Sequence, residues 1–378
     1  MKANSYVPNK KFLHGPGPSN VHPRVLQAMA NPTIGHLDPE FISFMEEVKD
    51  LLKLTFQTNN RLTFPVSGPG SLGMETCLAN LIAPDDRVVI CVNGVFGQRM
   101  VENVKRIGGI PIVLQVQWGK AIDPHLLQEF LQQQITDDPI KAVAFVHAET
   151  STGALSDAKS LCEIIHNFKC LSIVDAVTSV AGLPVKVDEW KVDAIYSGTQ
   201  KCLSCPPGLS PVSFSENALN IVNSRKTPVQ SWFMDISLVQ SYWNQSGGNA
   251  RTYHHTAPVN LLYALHESLV MYHQEGQEAV WKRHQDNALL LKIGLQKLGF
   301  EYLVPEESQM PQLHVVIPPK NLIETEAKIR ASLLRDYKIE IGGGLGELSG
   351  KVWRIGLMGH SSHKENIKHV IESLEMID

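Results

Sequence analysis

The sequence has no long hydrophobic run and no large excess of charge. Its apolar stretches, such as 142–146, have the length of a buried strand and fall far short of the ~20 residues that a helix needs to cross a bilayer. The formal net charge of -4 at pH 7 provides no overall attraction to nucleic acid. We therefore expect neither a membrane span nor a nucleic-acid partner.

Cysteine is scarce and scattered. The chain has 6 cysteines among 378 residues, and a protein of this size does not need disulfides to hold its core. Cys202 and Cys205 form a C-x-x-C pair, but Pro206-Pro207 follows where a dithiol oxidoreductase would have a helix, so we interpret both as inert thiols. Residues 1–11 lack the apolar core of a secretory signal, and we expect a cytoplasmic protein.

Several catalytic motifs are also missing. The absence of a G-x-S-x-G elbow argues against a serine hydrolase. Neither H-E-x-x-H nor paired C-x-x-C motifs accompany the 15 histidines, so no metal site is predicted. There is no internal repeat or heptad series, which excludes solenoids and coiled coils.

From Leu62 onward, short apolar runs alternate with helical patterns. This alternation predicts an α/β fold with a mainly parallel, mixed sheet flanked by helices, because parallel strands need long crossovers. We expect an irregular N-terminal segment (1–20), a large domain (21–276) in which Gly247-Gly248-Asn249 breaks the stretch Asp235–Ser246, and a smaller C-terminal α+β domain (277–378). The strands of the large domain are predicted at 62–66, 87–92, 110–116, 142–147, 171–174 and 192–196.

The turn Gly68–Gly73 matches G-x-G-x-x-G between a predicted strand and a predicted helix, which suggests a dinucleotide-binding unit. The following strand, however, ends in Asn93-Gly94, where such a unit has an acidic residue for the ribose. Free amides at a helix N-terminus bind phosphate of any kind when glycines allow close approach. The turn therefore indicates a phosphate site, with an ordinary strand–helix turn as the alternative.

Polar residues follow two of the predicted core strands. The segment His147–Gly153 offers a histidine, a carboxylate and three hydroxyls. The hydroxyls could bind a ligand's phenol or phosphate, or the segment could cap the next helix. Asp175 ends a very apolar run, where an ionised carboxylate needs a partner. That partner could be the protonated nitrogen of a pyridine ring or a nearby arginine.

Lys201 lies in the segment Tyr196–Gly208, among small and turn-forming residues rather than other charges. A lone lysine in a long chain is usually a solvated surface group. Surroundings of this kind also suit a lysine that forms a Schiff base with a carbonyl compound, and pyridoxal phosphate is the commonest such compound in amino-acid metabolism.

Seven segments follow one another along nearly the whole chain: Gly15–Asn20, Glu149–Gly153, Val174–Ala176, Ser197–Lys201, Arg251–Thr256, Ile341–Gly346 and Trp353–Leu357. In this order they resemble the class-V aminotransferases and, within them, the alanine–glyoxylate and serine–pyruvate enzymes. The resemblance implies a fold-type-I, pyridoxal-phosphate-dependent transferase that works as a homodimer with active sites at the subunit interface.

The resemblance also implies roles for individual residues. Lys201 matches the Schiff-base lysine, Asp175 the partner of the ring nitrogen, and Arg354 the arginine that grips the substrate carboxylate. Phe96 occupies the position where the human-type members stack a tryptophan on the ring. The remaining cofactor-binding positions are Thr150 near the ring oxygen, Gly70, Ser71 and Gln200 at the phosphate, and Tyr253 and Thr256 supplied to the phosphate by the partner subunit.

The predicted function is therefore transamination of a small amino acid, alanine or serine, with glyoxylate or pyruvate as acceptor, by a ping-pong cycle through pyridoxamine phosphate. Lys201 would move the proton between the substrate Cα and the cofactor C4′. One alternative is another donor, such as 2-aminoethylphosphonate or ureidoglycine. Two further alternatives are a nicotinamide-dependent oxidoreductase built on Gly68–Gly73 and a catalytically silent scaffold.

Overall fold

A mixed sheet of 7 strands forms the centre of the computed structural model, which describes residues 4–243 and 251–376. Ser210–Phe214 runs opposite to its neighbours, and the other strands of the described sheet share one direction. The predicted α/β fold with a mainly parallel, mixed sheet is confirmed. In sheet order the strands are Leu62–Val66, Ser210–Phe214, Ala194–Tyr196, Leu171–Asp175, Ile140–Val146, Arg87–Val92 and Ile110–Gln115.

Helices flank this sheet, and their ends follow local sequence signals. Asp38 and Asp123 each accept a hydrogen bond from a backbone amide of the first helical turn, and a proline follows each of them at the first helical position. Gly108, with φ of 91°, ends another helix in the left-handed conformation. The helices are Pro23–Met29, Pro39–Phe56, Gly70–Leu81, Val95–Ile107, Pro124–Gln133, Ala158–Asn167, Val187–Trp190, Glu216–Asn223, Ile236–Trp243 and Val259–Glu275.

The inner strands are apolar because both faces of the sheet are covered. Every residue of Leu171–Asp175 is buried, as are the last five residues of Ile140–Val146. Strands of this kind lack the alternation of half-exposed strands. Ile110–Gln115, at the edge of the sheet, exposes 47% of Ile110 and 40% of Val113.

The C-terminal part of the chain forms a second, 4-stranded antiparallel sheet of Glu301–Tyr302, Leu313–Ile317, Trp353–Gly356 and Gly342–Gly343. Trp353 and Ile355 from this sheet belong to a separate hydrophobic cluster with residues of the surrounding helices. The predicted division at Gly276 stays a prediction. The helices of this region are Gln277–Lys297, Lys320–Ile323, Glu326–Asp336 and Lys364–Glu375.

The N-terminal segment connects the two sheets. Within the stretch predicted to be irregular, Phe12–Leu13 forms a short strand that pairs in parallel with Ile339–Glu340. Further along, the amide of Gly356 donates to the carbonyl of His14 at 2.8 Å.

Two expectations concern helices and breaks in the chain. Across residues 4–243 and 251–376, every helix is too short or too polar to cross a membrane. The predicted break at Gly247-Gly248-Asn249 lies outside the described residues.

Candidate active site

Six strands of like direction end at the same edge of the central sheet, and a cavity of about 220 Å³ lies there. Ligands of open α/β sheets bind at this edge, outside the carboxyl ends of the strands. Most of the predicted site residues meet in this cavity, although they are far apart in the sequence. They are Gly70, Ser71, Phe96, Thr150, Asp175, Gln200 and Lys201, and Met74, Arg99, Val177 and Thr178 also line it.

Lys201 lies in a tight turn after the strand Ala194–Tyr196. The amide of Ser204 donates to its carbonyl at 3.0 Å, and the hydroxyl of Ser19 donates to the same carbonyl at 2.7 Å. Ser19 belongs to the N-terminal segment, so this segment holds the main chain of the lysine from outside the sheet.

The Lys201 side chain is buried, with 8% of its surface exposed, and its amine donates to the carbonyl of Pro16. Gly17 has φ of +110°, and a Cβ atom built there would lie 2.5 Å from the lysine Nζ. Burial lowers the pKa of Lys201 to about 8, and the charge of Asp175 opposes that fall. A measurable fraction of the amine is therefore neutral and nucleophilic near neutral pH, unlike an ordinary surface lysine.

Asp175 ends the strand Leu171–Asp175 and is buried. Its Oδ1 accepts from the amide of Val177 at 2.8 Å, and its Oδ2 accepts from the hydroxyl of Tyr196 at 2.8 Å. Burial raises the pKa of Asp175 to about 6, against the lowering effect of these hydrogen bonds and of Lys201. Among the described residues no arginine bonds to this carboxylate, so the arginine alternative is not supported.

The turn before the helix Gly70–Leu81 has the properties of an anion site. Its N-cap residue, Pro69, makes no side-chain capping bond within the described chain, so the first amides of the helix have no side-chain cap. Arg99 donates to the hydroxyl of Ser71 at 3.3 Å, which places a positive charge beside these amides. A Cβ atom on Gly70 would lie 3.0 Å from Val177 Cγ2, so glycine fits this narrow wall of the cavity.

The sheet order argues against the nicotinamide alternative. In a dinucleotide-binding unit, the strand before the glycine-rich turn pairs in parallel with the next strands of the unit. Here that strand, Leu62–Val66, lies at the edge of the sheet and pairs with the antiparallel Ser210–Phe214. The turn keeps its phosphate-binding geometry without the surroundings of a nicotinamide site.

Glu149 was not assigned a role from the sequence, yet it is fully buried beside the cavity. Its Oε2 accepts from the amide of Phe96 at 3.1 Å, and its Oε1 accepts from the amide and the hydroxyl of Ser151 at 3.0 and 2.6 Å. Burial raises the pKa of Glu149, and these hydrogen bonds oppose the rise. Its sequence signal was similar to that of Asp175: a carboxylate within three residues of the end of an apolar strand, here Ile140–Val146.

The hydroxyls that follow Glu149 have different roles. Ser151 accepts from the amide of Val95 at 2.9 Å and so caps the helix Val95–Ile107. The alternative of capping the next helix is wrong, because Asp157 caps that helix by accepting from the amide of Ser160. Thr150 lines the cavity.

Arg354 brings the second sheet to the cavity. It is 7% exposed, and it donates from Nε to the carbonyl of Gly343 at 2.7 Å and from Nη1 to the carbonyl of Thr150 at 3.3 Å. Burial lowers its pKa to about 10, so the guanidinium stays charged at neutral pH. Arg354 therefore lies next to the cavity, and its positive charge is available to bind the carboxylate of an acid.

Tyr253 and Thr256 do not reach the cavity of their own chain. Both are exposed, Tyr253 to 56%. Between them, His255 Nε2 lies 2.9 Å from the hydroxyl of Ser67, and the His254 ring stacks on Trp232 with centroids 4.2 Å apart. The segment is therefore fixed to the surface with the tyrosine and the threonine facing outward.

Two other expectations concern metal and thiol chemistry. In the part of the chain that the structure describes, no three His, Cys, Asp or Glu side chains come together as metal ligands. Cys202 and Cys205 are both buried free thiols, and burial raises the pKa of Cys202 to about 12. These surroundings suit inert thiols.

The cavity fits pyridoxal phosphate. Asp175 offers a buried carboxylate to the ring nitrogen, Lys201 an amine to the aldehyde, and the turn at Gly70 free amides to the phosphate. The amide oxygen of Gln200 is buried and has no hydrogen-bond partner among the described residues. A buried polar group of this kind indicates that a bound molecule completes the site.

Comparisons with known proteins agree with this geometry. The family model described as aminotransferase class-V matches residues 11–368. The alanine–glyoxylate aminotransferase of Drosophila melanogaster is 38% identical over 99% of this chain and 93% of its own. The (S)-ureidoglycine–glyoxylate transaminase of Bacillus subtilis is 37% identical over 96% and 89%, respectively. The crystal structure of an alanine–glyoxylate aminotransferase from Nostoc sp. has a TM-score of 0.94 and 41% identity, covering 99% of this chain and 97% of that one.

Proposed function

This chain belongs to the class-V aminotransferase family, whose members depend on pyridoxal phosphate, and we propose that it transfers the amino group of alanine or serine to glyoxylate or pyruvate. The observation that carries the proposal is that Lys201 and Asp175 line the same cavity. Asp175 ends one strand, and Lys201 follows the neighbouring strand Ala194–Tyr196. A lysine with a lowered pKa and a buried carboxylate match the two ends of the cofactor ring.

When bound, the cofactor supplies an electron sink for the negative charge that develops at the substrate Cα. The chain supplies the positioning groups and the proton carrier. Asp175 holds a proton at the ring nitrogen, the Gly70 turn with Ser71 and Gln200 binds the phosphate, and Phe96 and Val177 line the cavity as apolar walls. Lys201 would hold the cofactor through its amine and, as a neutral amine, would carry the proton that leaves the substrate Cα.

Arg354 supports the assignment of an α-carboxylate substrate. Its charged, buried guanidinium contacts the main chain at Thr150 and so lies beside the cavity wall. A planar guanidinium can bind a planar carboxylate with two parallel hydrogen bonds. Since alanine, serine, glyoxylate and pyruvate all carry this group, Arg354 serves both halves of the reaction.

A loss-of-cofactor experiment tests the enzyme class. The purified protein with pyridoxal phosphate should show an absorption band in the near-visible that borohydride removes. Lys201→Ala should lack this band, whereas Lys282→Ala, which changes a surface lysine paired with Asp286, should keep it. A Lys201→Ala protein with the same band and full turnover would contradict the proposal.

A panel of amino donors tests the substrate. Serine, 2-aminoethylphosphonate and ureidoglycine are each offered with glyoxylate and with pyruvate, alanine is offered with glyoxylate only because it exchanges with pyruvate without net reaction, and formation of the oxo product of the donor is followed. We expect the highest kcat/KM with alanine or serine. Ureidoglycine is the second candidate, since the Bacillus subtilis relative named for it covers 96% of this chain. A clear preference for ureidoglycine or for 2-aminoethylphosphonate would overturn the assignment of the donor.

We also propose a homodimer in which Tyr253 and Thr256 complete the partner's phosphate site. The outward position of both side chains supports this, and so does the exposed apolar surface around them, which includes Trp232 at 60% exposure. Large aromatic side chains in contact with water are typical of surfaces that bind a partner. Light scattering of the eluted protein gives the oligomeric state.

Subunit complementation tests the shared site. Lys201→Ala and the double variant Tyr253→Ala/Thr256→Ala should each be nearly inactive. When the two are co-expressed, each mixed dimer has one intact site, so about a quarter of the wild-type activity should return for random pairing. Activity that stays at the level of the separate variants would show that the sites are not shared.

The cytoplasm remains the proposed location. All 6 cysteines are buried free thiols, which suits a reducing compartment. Fractionation of cells that express the tagged chain tests this, and recovery in an organelle or in the medium would contradict it.

A further inference from the structure

Tyr196 is a buried tyrosine that the reaction described above does not use. It ends the strand Ala194–Tyr196, it is 0% exposed, and its hydroxyl donates to Asp175 Oδ2 at 2.8 Å. The other carboxylate oxygen, Oδ1, is occupied by the amide of Val177. Both oxygens of the carboxylate are thus held by donors of the chain before any cofactor binds.

The contact follows from the register of the sheet. Asp175 and Tyr196 are direct partners on neighbouring parallel strands, so their side chains project from the same side. The amide of Ala176 also donates to the carbonyl of Tyr196 at 2.9 Å, which fixes the two strand ends to each other. Gly73 leaves room for Ser210 and for the tyrosine, because a Cβ atom there would overlap the Ser210 hydroxyl and lie 3.1 Å from Tyr196 Cβ.

We propose that Tyr196 is a positioning residue, which holds the Asp175 carboxylate ionised and oriented for the ring nitrogen of the cofactor. A hydroxyl that donates to a carboxylate favours the charged form of the carboxylate and restricts its rotation. The role in cofactor binding rests on the proposed function, whereas the effect on Asp175 does not.

Several charged or titratable groups surround this carboxylate, and their effects can be separated. Lys201 favours the ionised form, while Glu149 opposes it. Cys77, from the helix Gly70–Leu81, also faces Asp175, and burial raises the pKa of its thiol well above the usual range, so it stays neutral. Tyr196 is likewise neutral, because burial and the charge of Asp175 raise the pKa of the phenol. Among the described residues, Tyr196 is therefore the neutral hydroxyl that donates to this carboxylate.

A simpler explanation is that the aspartate merely satisfies a buried phenol. The two explanations differ in what the loss of the hydroxyl does. If Tyr196 only fills space and uses Asp175 as the acceptor for its own hydroxyl, Tyr196→Phe changes the stability of the protein or its affinity for the cofactor by the same factor at every pH. If it tunes Asp175, the pH at which the carboxylate ionises moves upward.

The first experiment measures pyridoxal phosphate binding to the cofactor-free full chain between pH 5 and 8.5, for the wild type and for Tyr196→Phe. Affinity should rise with pH as Asp175 ionises. In the variant, the midpoint of this rise should move up by about one pH unit, which is about a tenfold change in the ionisation constant. Phenylalanine keeps the ring and its packing, so the fold should persist. An unchanged midpoint, with affinity lowered equally at all pH values, would overturn the proposal.

Two controls locate the effect. Tyr302→Phe removes a hydroxyl that lies 2.9 Å from His314 Nδ1, where neither residue lines this cavity, and should leave the midpoint unchanged. In an Asp175→Asn background the substitution Tyr196→Phe should no longer move any midpoint, because the group that it acts on is gone. A shift that persists in that background would show that Tyr196 acts through another residue, and would refute the proposal.

The second experiment needs no cofactor. Urea unfolding of the cofactor-free wild type and Tyr196→Phe across the same pH range should show the same upward shift in the stability midpoint assigned to Asp175. If this shift occurs and pyridoxal phosphate does not bind to the wild type, the proposed function fails while the effect of Tyr196 on Asp175 stands. If the wild type binds the cofactor and neither midpoint moves, the inference fails while the proposed function stands.

Discussion

Replacing Asp175 with asparagine is expected to make the cofactor-free protein more stable at neutral pH, although it removes a residue that we assign to the active site. The carboxyl group is buried among apolar strands, and burial is the main reason that its pKa rises from 3.8 to about 6. Ionising it in the folded protein is therefore unfavourable. Natural active sites often keep such destabilising groups, because the ligand needs them.

The sign and the size follow from linkage. A group whose pKa is higher in the folded than in the unfolded chain stabilises the fold fully below the unfolded pKa, and this stabilisation is lost as the pH rises through the folded pKa. For Asp175 the loss runs from about pH 4 to pH 6 and amounts to about 3 kcal/mol, since one pKa unit corresponds to about 1.4 kcal/mol. Asparagine stays neutral throughout and can still accept from the amide of Val177.

Urea unfolding of the cofactor-free wild type and Asp175→Asn, at pH values from 4 to 8, measures this effect. The two should be equally stable near pH 4, and the variant should be more stable by up to about 3 kcal/mol above pH 7. Glu278→Gln, which removes an exposed carboxylate, controls for the change in net charge. Saturating pyridoxal phosphate should reverse the order, because the ring nitrogen needs the charge. Parallel stability curves for wild type and Asp175→Asn would refute the reasoning.

Three further predictions concern the surroundings of the lysine. Gly17→Ala should distort the left-handed backbone and push Lys201 aside, so the affinity for the cofactor should fall at least about tenfold in an absorbance titration. An affinity equal to that of the wild type would contradict the claim that this glycine makes room for the lysine. Glu149→Gln places an NH₂ group against amide donors, including that of Phe96, and should lower the free energy of unfolding in urea at pH 7 by about 2–3 kcal/mol. An unchanged free energy of unfolding would show that the buried carboxylate does not anchor the helix Val95–Ile107. Cys202 should resist iodoacetamide in the folded protein at pH 8 and react after unfolding, as mass spectrometry would show; rapid native labelling would contradict an inert thiol.

Much of the fold could be predicted because its strands are buried. Leu62–Val66 and Arg87–Val92 have the predicted bounds, since a short apolar run between turn residues has few other solutions. Helix starts were less certain. The turn was predicted over Gly68–Gly73, yet the helix already begins at Gly70, because a glycine in a turn and a glycine in a first helical turn have the same sequence signal.

The site was predictable where it consists of loops that follow strands, and not where it depends on the order of the strands. Lys201 and Asp175 stood out by their local surroundings, and the structure places them in one cavity. The contact between Asp175 and Tyr196 depends on which strands are neighbours and on their register, which no local pattern encodes. The roles of the individual site residues stay predictions.

The central claim is that Lys201 holds pyridoxal phosphate as an imine. Borohydride reduction of the protein with its cofactor, followed by proteolysis and mass spectrometry of the peptides, tests it most directly. We predict a phosphopyridoxyl group on Lys201, in the peptide that contains Ser197–Cys202. Stable label on another lysine, or no label after reduction of the saturated protein, would contradict the account.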